Sequence, residues 1–197
     1  MLFCDIEHFA ELAVDALLFA LLGAVWFLLP AGAANVAPVF ASRLIPSWDA
    51  PVDFGCSLRG ARLFGSHKTW RGLIAGLTAS GVTFAVQQLI YGDVAVLRQY
   101  SYFEYDRYPW SMGIWMGAGA LTGDLIKSLI KRQLNISPGQ AWFPFDQLDW
   151  LIGAILFTYP FISFSSGSVA QIMLVGFFLH LVANLIGYAL RLKRTWL

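Results

Sequence analysis

Apolar residues along the chain fall into long runs parted by short polar segments, and the runs have the length of bilayer crossings, about 20 residues each. Five such runs are present. The first covers about residues 12–40 and is interrupted by Pro30 and Pro38. The second is 72–91. The third, about 110–130, runs into charge at Asp124. The fourth, about 150–164, is short, and the fifth, 168–190, is closed by Arg191, Lys193 and Arg194. The pattern predicts an all-α polytopic membrane protein with five transmembrane helices in one domain, 1–197. No basic stretch and no small-residue cleavage site accompany the first run, so it is expected to remain in the mature protein rather than act as a removable signal.

Composition narrows the class. Hydrophobic residues make up 58% of the chain and charged residues 13%, with a mean hydropathy of +0.63. A soluble domain carries about a quarter charged residues and could not hide this much apolar surface. A net charge of +1 gives no nucleic-acid footprint. Cys4 and Cys56 have neither metal-ligand spacing nor a disulfide framework around them.

Basic residues orient the spans. Eleven of the thirteen Lys and Arg residues lie in segments 43–71, 127–148 and 191–197, and only Arg98 and Arg107 lie in the opposite set. This predicts a cytoplasmic C-terminus, an outer N-terminus and two functional loops on the cytoplasmic side of the cell membrane. Tyr100, Tyr102, Tyr105, Tyr108 and Trp110 then read as an outer interfacial belt. Small residues recur four apart at Gly72 and Gly76, Gly113 and Gly117, and Gly119 and Gly123. Such spacing suits close helix packing within one chain, or a homodimer. Five spans do not divide into two equal halves, so no transporter-type repeat is expected.

Polar groups at membrane depth are costly and mark function. Asn35, Asp124, His180 and Asn184 are of this kind, and together they predict a polar cavity open to the cytoplasm. Asp124, Lys127, Ser128 and Lys131 stand at i, i+3, i+4 and i+7, one stripe on a helix. Pro138 and Gly139 break that helix, and Asp146 and Asp149 follow just before the fourth span. Carboxylates with no Cys or His nearby select hard cations such as Mg²⁺, and the neighbouring cations suit a polyphosphate. An ion-pair network capping the helix end is the alternative. The other loop, GARLFGSHKTWRG, offers Gly65, Ser66, His67, Lys68, Thr69 and Arg71 before the second span, either as an anion site or as an anchor for anionic lipid.

These residues resemble a known family. GDLIKSLIKR followed by PFDQLD resembles the signature of membrane CTP-dependent lipid-phosphate cytidylyltransferases, through Gly123, Asp124, Ser128, Lys131, Arg132, Asp146 and Asp149. Gln147 stands where the phosphatidate enzymes carry arginine, and their Lys-Asp pair and His-Gly-Gly run are absent. The smaller CDP-archaeol synthase family is the closer match. Its G-K-T-W-R-G loop appears here as Lys68-Thr69-Trp70-Arg71-Gly72, with His67 in front. Its H-x-x-x-N-x-x-x-Y segment appears as His180, Asn184 and Tyr188, and Asn35 and Pro38 also fit.

The resemblance spans about residue 25 to the C-terminus. It implies five spans, Mg²⁺ as cofactor, CTP as co-substrate and a polyisoprenoid glycerophosphate, such as 2,3-di-O-geranylgeranylglyceryl phosphate, as lipid substrate. In that reading Asp124, Asp146 and Asp149 hold the metal and, with Lys131, form the catalytic set. Lys68, Thr69, Arg71, Lys127, Ser128 and Arg132 bind the CTP phosphates, and Asn35, His180 and Asn184 meet the lipid. A small transporter or lipid-binding protein built on the same polar cavity is the reading from another class.

Overall fold

Backbone amides in lipid have no water to bond, so the apolar runs close their hydrogen bonds internally as helices. The computed structural model describes the backbone of residues 2–189 and the side chains of 11–189. Arg191, Lys193, Arg194 and the end of the fifth span lie outside the described residues, as do the side chains of Cys4, Asp5 and Glu7. Six helices follow in order: α1 (Leu2–Leu44), α2 (Trp70–Tyr91), the short α3 (Ala95–Gln99), α4 (Met112–Gln133), α5 (Phe145–Thr158) and α6 (Ser166–Ala189). A two-stranded antiparallel hairpin, β1 (Ser57–Leu58) and β2 (Ala61–Arg62), lies between α1 and α2. Its turn is Arg59-Gly60, both at positive φ, as the twist of a tight hairpin requires.

Among the described residues three helices are long and apolar enough to cross a membrane by themselves: Glu11–Leu44, Trp70–Tyr91 and Ser166–Ala189. The third and fourth expected spans differ from this type. The second half of α4 carries Asp124, Lys127, Lys131 and Arg132, and α5 has only 14 residues, ~21 Å at the α-helical rise. The two pack against each other more extensively than any other pair of elements. Their contact is set by glycine: a Cβ on Gly119 would strike the carbonyl oxygen of Gly153, and one on Gly123 that of Asp149. The backbones therefore touch where the carboxylates emerge. Gly113 and Gly117 pack likewise on Ser80, and Gly76 on Ala34, so the small residues are used within the chain.

Element boundaries depart from the sequence pattern for local reasons. The first helix runs through Pro30 and Pro38 as far as Leu44. Each proline lacks the N–H that would bond four residues back, and neighbours compensate. The carbonyl of Trp26, left over by Pro30, accepts from Gln87 Nε2 at 2.6 Å, and that of Ala34, left over by Pro38, lies against Gly76. Helix α4 ends at Gln133 with Leu134 as its cap, earlier than Pro138. Asn135 takes φ 57° while Ile136 N donates to Lys131 O at 2.9 Å and Asn135 N to Arg132 O at 3.1 Å. This is a Schellman cap with asparagine in the left-handed position. The fifth helix starts at Phe145 rather than near 150, since Pro144 costs nothing at a helix N-terminus and Asp146 in the first turn suits the dipole. Asp146 and Asp149 are thus on the helix, not ahead of it.

The tyrosine-rich connection differs from the expected interfacial belt at Tyr105, while Trp110 stays exposed. Tyr105 is fully buried against Phe84 and Phe103, its ring centroid 4.2 Å from that of Phe103. Gln88 Nε2 donates to the carbonyls of Tyr105 and Tyr108, and Tyr108 Oη donates to Phe161 O at 3.1 Å. The segment is a plug over one end of the bundle, with Tyr105 enclosed by aromatic rings and its carbonyl bonded by Gln88. The core continues beneath it through Phe27, Met116, Leu151 and Ile172.

Gln87 is buried, so Gln87→Leu leaves the Trp26 carbonyl without a donor and is expected to cost about 1–3 kcal/mol of stability. Pro30→Ala in the same chain restores the helical N–H and recovers much of that loss. Unfolding in detergent micelles with increasing SDS checks both variants.

Candidate functional site

Helix α4 presents Asp124, Lys127, Ser128 and Lys131 along one face, as their spacing predicts. Helix α5 brings Asp146 and Asp149 to that face, and the loop before α2 brings Lys68. Lys127 Nζ stands at the centre, 3.1 Å from Asp124 Oδ1, 3.2 Å from Asp146 Oδ1 and 2.8 Å from Asp149 Oδ2. Lys68 ion-pairs with the other oxygen of Asp124. Lys131 Nζ lies 3.0 Å from Asp146 Oδ2 and donates to Gln140 O at 2.5 Å. Trp142 N donates to Asp146 Oδ2 at 2.5 Å. Three carboxylates and three ammonium groups therefore balance in a small, largely buried volume.

Among the described residues no group of three His, Cys, Asp or Glu side chains is arranged to hold a metal ion directly. The three carboxylates converge instead on the ammonium of Lys127.

The remaining expected site residues divide. Ser128 is buried on α4 and half-buried Arg132 follows Lys131, its Nε without a hydrogen-bond partner among the described residues. Thr69 caps α2, its Oγ1 accepting from Gly72 N at 3.2 Å. Arg71 is buried and its Nη1 donates to Ile45 O at 2.5 Å, which fastens the end of α1. In this arrangement Thr69 and Arg71 hold the loop, and Lys68 is the member that reaches the cluster. Asn184 is buried on α6, Asn35 half-buried on α1, and the His180 ring sits 6.2 Å from that of Trp150, the residue after Asp149.

One residue escaped the sequence reading. The Asp53 side chain is fully buried and accepts from Arg62 Nη2 at 2.6 Å, Gly55 N at 3.0 Å, Phe64 N at 3.2 Å and Gly65 N at 3.3 Å. The Asp-x-Gly spacing of Asp53 and Gly55 is an Asx-turn signal that could have found it. Burial on its own would raise this carboxyl. The Arg62 guanidinium and the backbone donors outweigh it and hold the group at about 2, below its ordinary 3.8.

Helices that bury a neutralised cluster of carboxylates and ammonium groups between two short-contact partners define a membrane protein with a built polar site. The comparisons give the family. The model of the CarS-like CDP-archaeol synthase family matches residues 17–197. The CDP-archaeol synthase of Pyrococcus furiosus is 36% identical over 174 residues, covering 88% of this chain and 96% of its own. That of Methanococcus aeolicus is 32% identical, covering 92% and 99%. A solved structure, described as an intramembrane enzyme for archaeal membrane lipids biosynthesis, superposes with a TM-score of 0.67 at 30% identity, covering 84% of this chain and 94% of that one. The chain belongs to the CDP-archaeol synthase family.

A carboxyl at about 2 when folded and 3.8 when unfolded stabilises its loop fully above pH 3.8, and that contribution is lost as pH falls toward 2. Amide exchange at Phe64 and Gly65, corrected for its intrinsic pH dependence, should accelerate in that window relative to α2. The Asp53→Asn variant should lack the step.

Proposed function

We propose that this chain catalyses CTP-dependent cytidylyl transfer to a membrane lipid phosphate, giving the CDP-lipid and pyrophosphate. The observation that carries the reading is the convergence of Asp124, Asp146, Asp149, Lys68, Lys127 and Lys131 on one point between α4, α5 and the loop before α2. The names of the relatives agree with it. The lipid substrate we propose is 2,3-di-O-geranylgeranylglyceryl phosphate or a close glycerophosphate.

The chemistry asks for positioning and charge compensation more than for a base. A phosphate monoester, with a second pKa of about 6, is mostly dianionic at neutral pH. Its oxygen attacks the α-phosphorus of CTP, the bond from that phosphorus to the bridging oxygen breaks, and pyrophosphate departs. Lys68, Lys127, Lys131 and Arg132 bind the triphosphate, with Ser128 beside them. Asn184, His180 and Asn35 lie toward the lipid. Thr69 and Arg71 act by holding the loop.

The three carboxylates now converge on the Lys127 ammonium, and the oxygen-only ligands they could supply suit a hard cation such as Mg²⁺. Asp124, Asp146 and Asp149 would hold it once the lysines turn to the arriving phosphates. Bound Mg²⁺ lowers the repulsion between the two anions and stabilises the leaving pyrophosphate.

In the bilayer, α1, α2 and α6 span outright, and we place α4 and α5 as a further pair, giving five spans. The 22 residues of α4 reach ~33 Å. The shorter α5 is completed at its ends by the 134–144 and 159–165 connections. The excess of Lys and Arg in segments 43–71 and 127–148 puts the site on the cytoplasmic face of the cell membrane.

Pyrophosphate release from CTP, measured against a panel of lipid phosphates with and without Mg²⁺, tests the reading. Activity should require both the lipid phosphate and the metal, and a chelator should abolish it. Asp124→Asn and Asp146→Asn should each lower kcat at least ~100-fold while the protein still inserts and folds. Lys68→Ala should raise KM for CTP about 10-fold, the factor for one charge-assisted contact. Full activity in either aspartate variant would overturn the assignment.

A further inference from the structure

The segment 45–69 has little regular structure of its own, yet it must deliver one ammonium group to a fixed point on α4. Its order comes from Asp53. Two backbone donors to this carboxylate, Phe64 N and Gly65 N, lie four and three residues before Lys68, while Gly55 N and Arg62 come from the two sides of the hairpin. The neighbouring residue Val52 donates its N–H to Lys68 O at 2.8 Å, and Trp70 N donates to Ala50 O at 3.0 Å, so strands at 50–52 and 68–70 pair through Pro51 and Thr69. Lys68 is thus gripped by its backbone from the Asp53 side, and its side chain is the part left to reach Asp124. The hairpin itself rests on the end of α4, where Gln133 Nε2 donates to Leu58 O at 3.3 Å. Gly55 and Gly65 both adopt positive φ, which brings their N–H groups round to the one carboxylate.

We infer that Asp53 is a positioning residue for nucleotide binding: by gathering Arg62 and the backbone of Gly55, Phe64 and Gly65, it fixes the loop so that Lys68 stands over Asp124 and meets the triphosphate. This rests on the function proposed above and deepens it. A buried carboxylate is expensive unless its acceptor sites are filled. With four donors it locks the loop in one conformation, and the loop's one contact with the charged cluster is through Lys68. The nucleotide therefore meets a preset cation instead of ordering the loop on arrival, an advantage that appears in affinity.

A double-mutant cycle between Asp53 and Lys68 tests the inference in the purified, full-length protein, reading KM for CTP, KM for the lipid phosphate and kcat. Asparagine at position 53 cannot accept from both Phe64 N and Gly65 N on its amide nitrogen. Asp53→Asn is expected to raise KM for CTP about 10-fold, as loss of one charge-assisted contact does, and to leave KM for the lipid unchanged. In a Lys68→Ala background the same substitution should change KM for CTP less than about twofold, because coupled residues are non-additive. Glutamate at 53, which keeps the charge, should recover part of the loss.

An equal rise of KM in both backgrounds would overturn the positioning role while leaving the proposed function intact. So would an effect confined to folded yield or kcat, which marks a structural role only. If Lys68→Ala itself leaves CTP use unchanged, the assignment of Lys68 fails, and the inference with it. Should Asp53→Asn not fold, Arg62→Gln removes one donor from the more exposed end of the same network, and the cycle is read by the same criteria.

Discussion

The contact on which the site depends is the ammonium of Lys127 held between carboxylates of two helices. Neither side could be buried alone. A lone carboxylate or ammonium at this depth would neutralise or draw in water. Together they let α4 and α5 approach with polar faces inward, and the glycine contacts of Gly119, Gly123 and Gly153 supply the closeness that makes the charge pairing short. Packing and electrostatics are one constraint here: a side chain at Gly123 would push α5 away at Asp149, which is also a partner of Lys127.

Polar residues elsewhere in the bundle serve a different need, and the contrast identifies the site. Gln87 answers a carbonyl freed by Pro30. Gln88 holds the aromatic plug, and Ser80 Oγ donates to Gly113 O at 2.5 Å. Each closes a local deficit in backbone bonding, which is what lipid demands. The cluster around Lys127 meets Gln140 O and Trp142 N at its edge, but its centre is charge on charge. It draws six formal charges into one place, where buried pairs return little net stability over apolar packing. A fold that needed only cohesion would have used leucine there.

Much of this was legible in the chain. Helical spacing placed Asp124, Lys127, Ser128 and Lys131 together, and proximity in sequence brought Asp146 and Asp149 to the same helix end. Lys68 was legible as a jaw of the site through its motif, and the CDP-archaeol synthase resemblance named the family to which the chain belongs. The misses follow from interactions that composition does not encode. Tyr105 reads as an interface residue until Phe84 and Phe103 are seen to surround it. The start of α5 at Phe145 depends on Pro144 and a carboxylate in the first turn, not on apolarity. Thr69 and Arg71 look like anion ligands by type but are engaged by Gly72 N and Ile45 O. Asp53 was overlooked because its four donors come from positions 55 to 65 and meet only once the hairpin has closed.

The division of labour between helix and loop has a physical reason. Asp124, Asp146, Asp149, Lys127 and Lys131 are all on helices whose backbones touch, whereas Lys68 comes from the loop before α2. On the proposed function a polyphosphate enters and pyrophosphate leaves by exchange of side-chain ion pairs, which asks for no movement of the loop backbone. Lys68 reaches Asp124 across 56 residues of sequence from a loop held by the buried Asp53 carboxylate together with the contacts of Thr69, Arg71 and Gln133. Its pairing with Asp124 neutralises the cluster while no anion is bound. On the proposed function the same ammonium would pair with phosphate oxygens when CTP binds, a charge-assisted contact of the same kind.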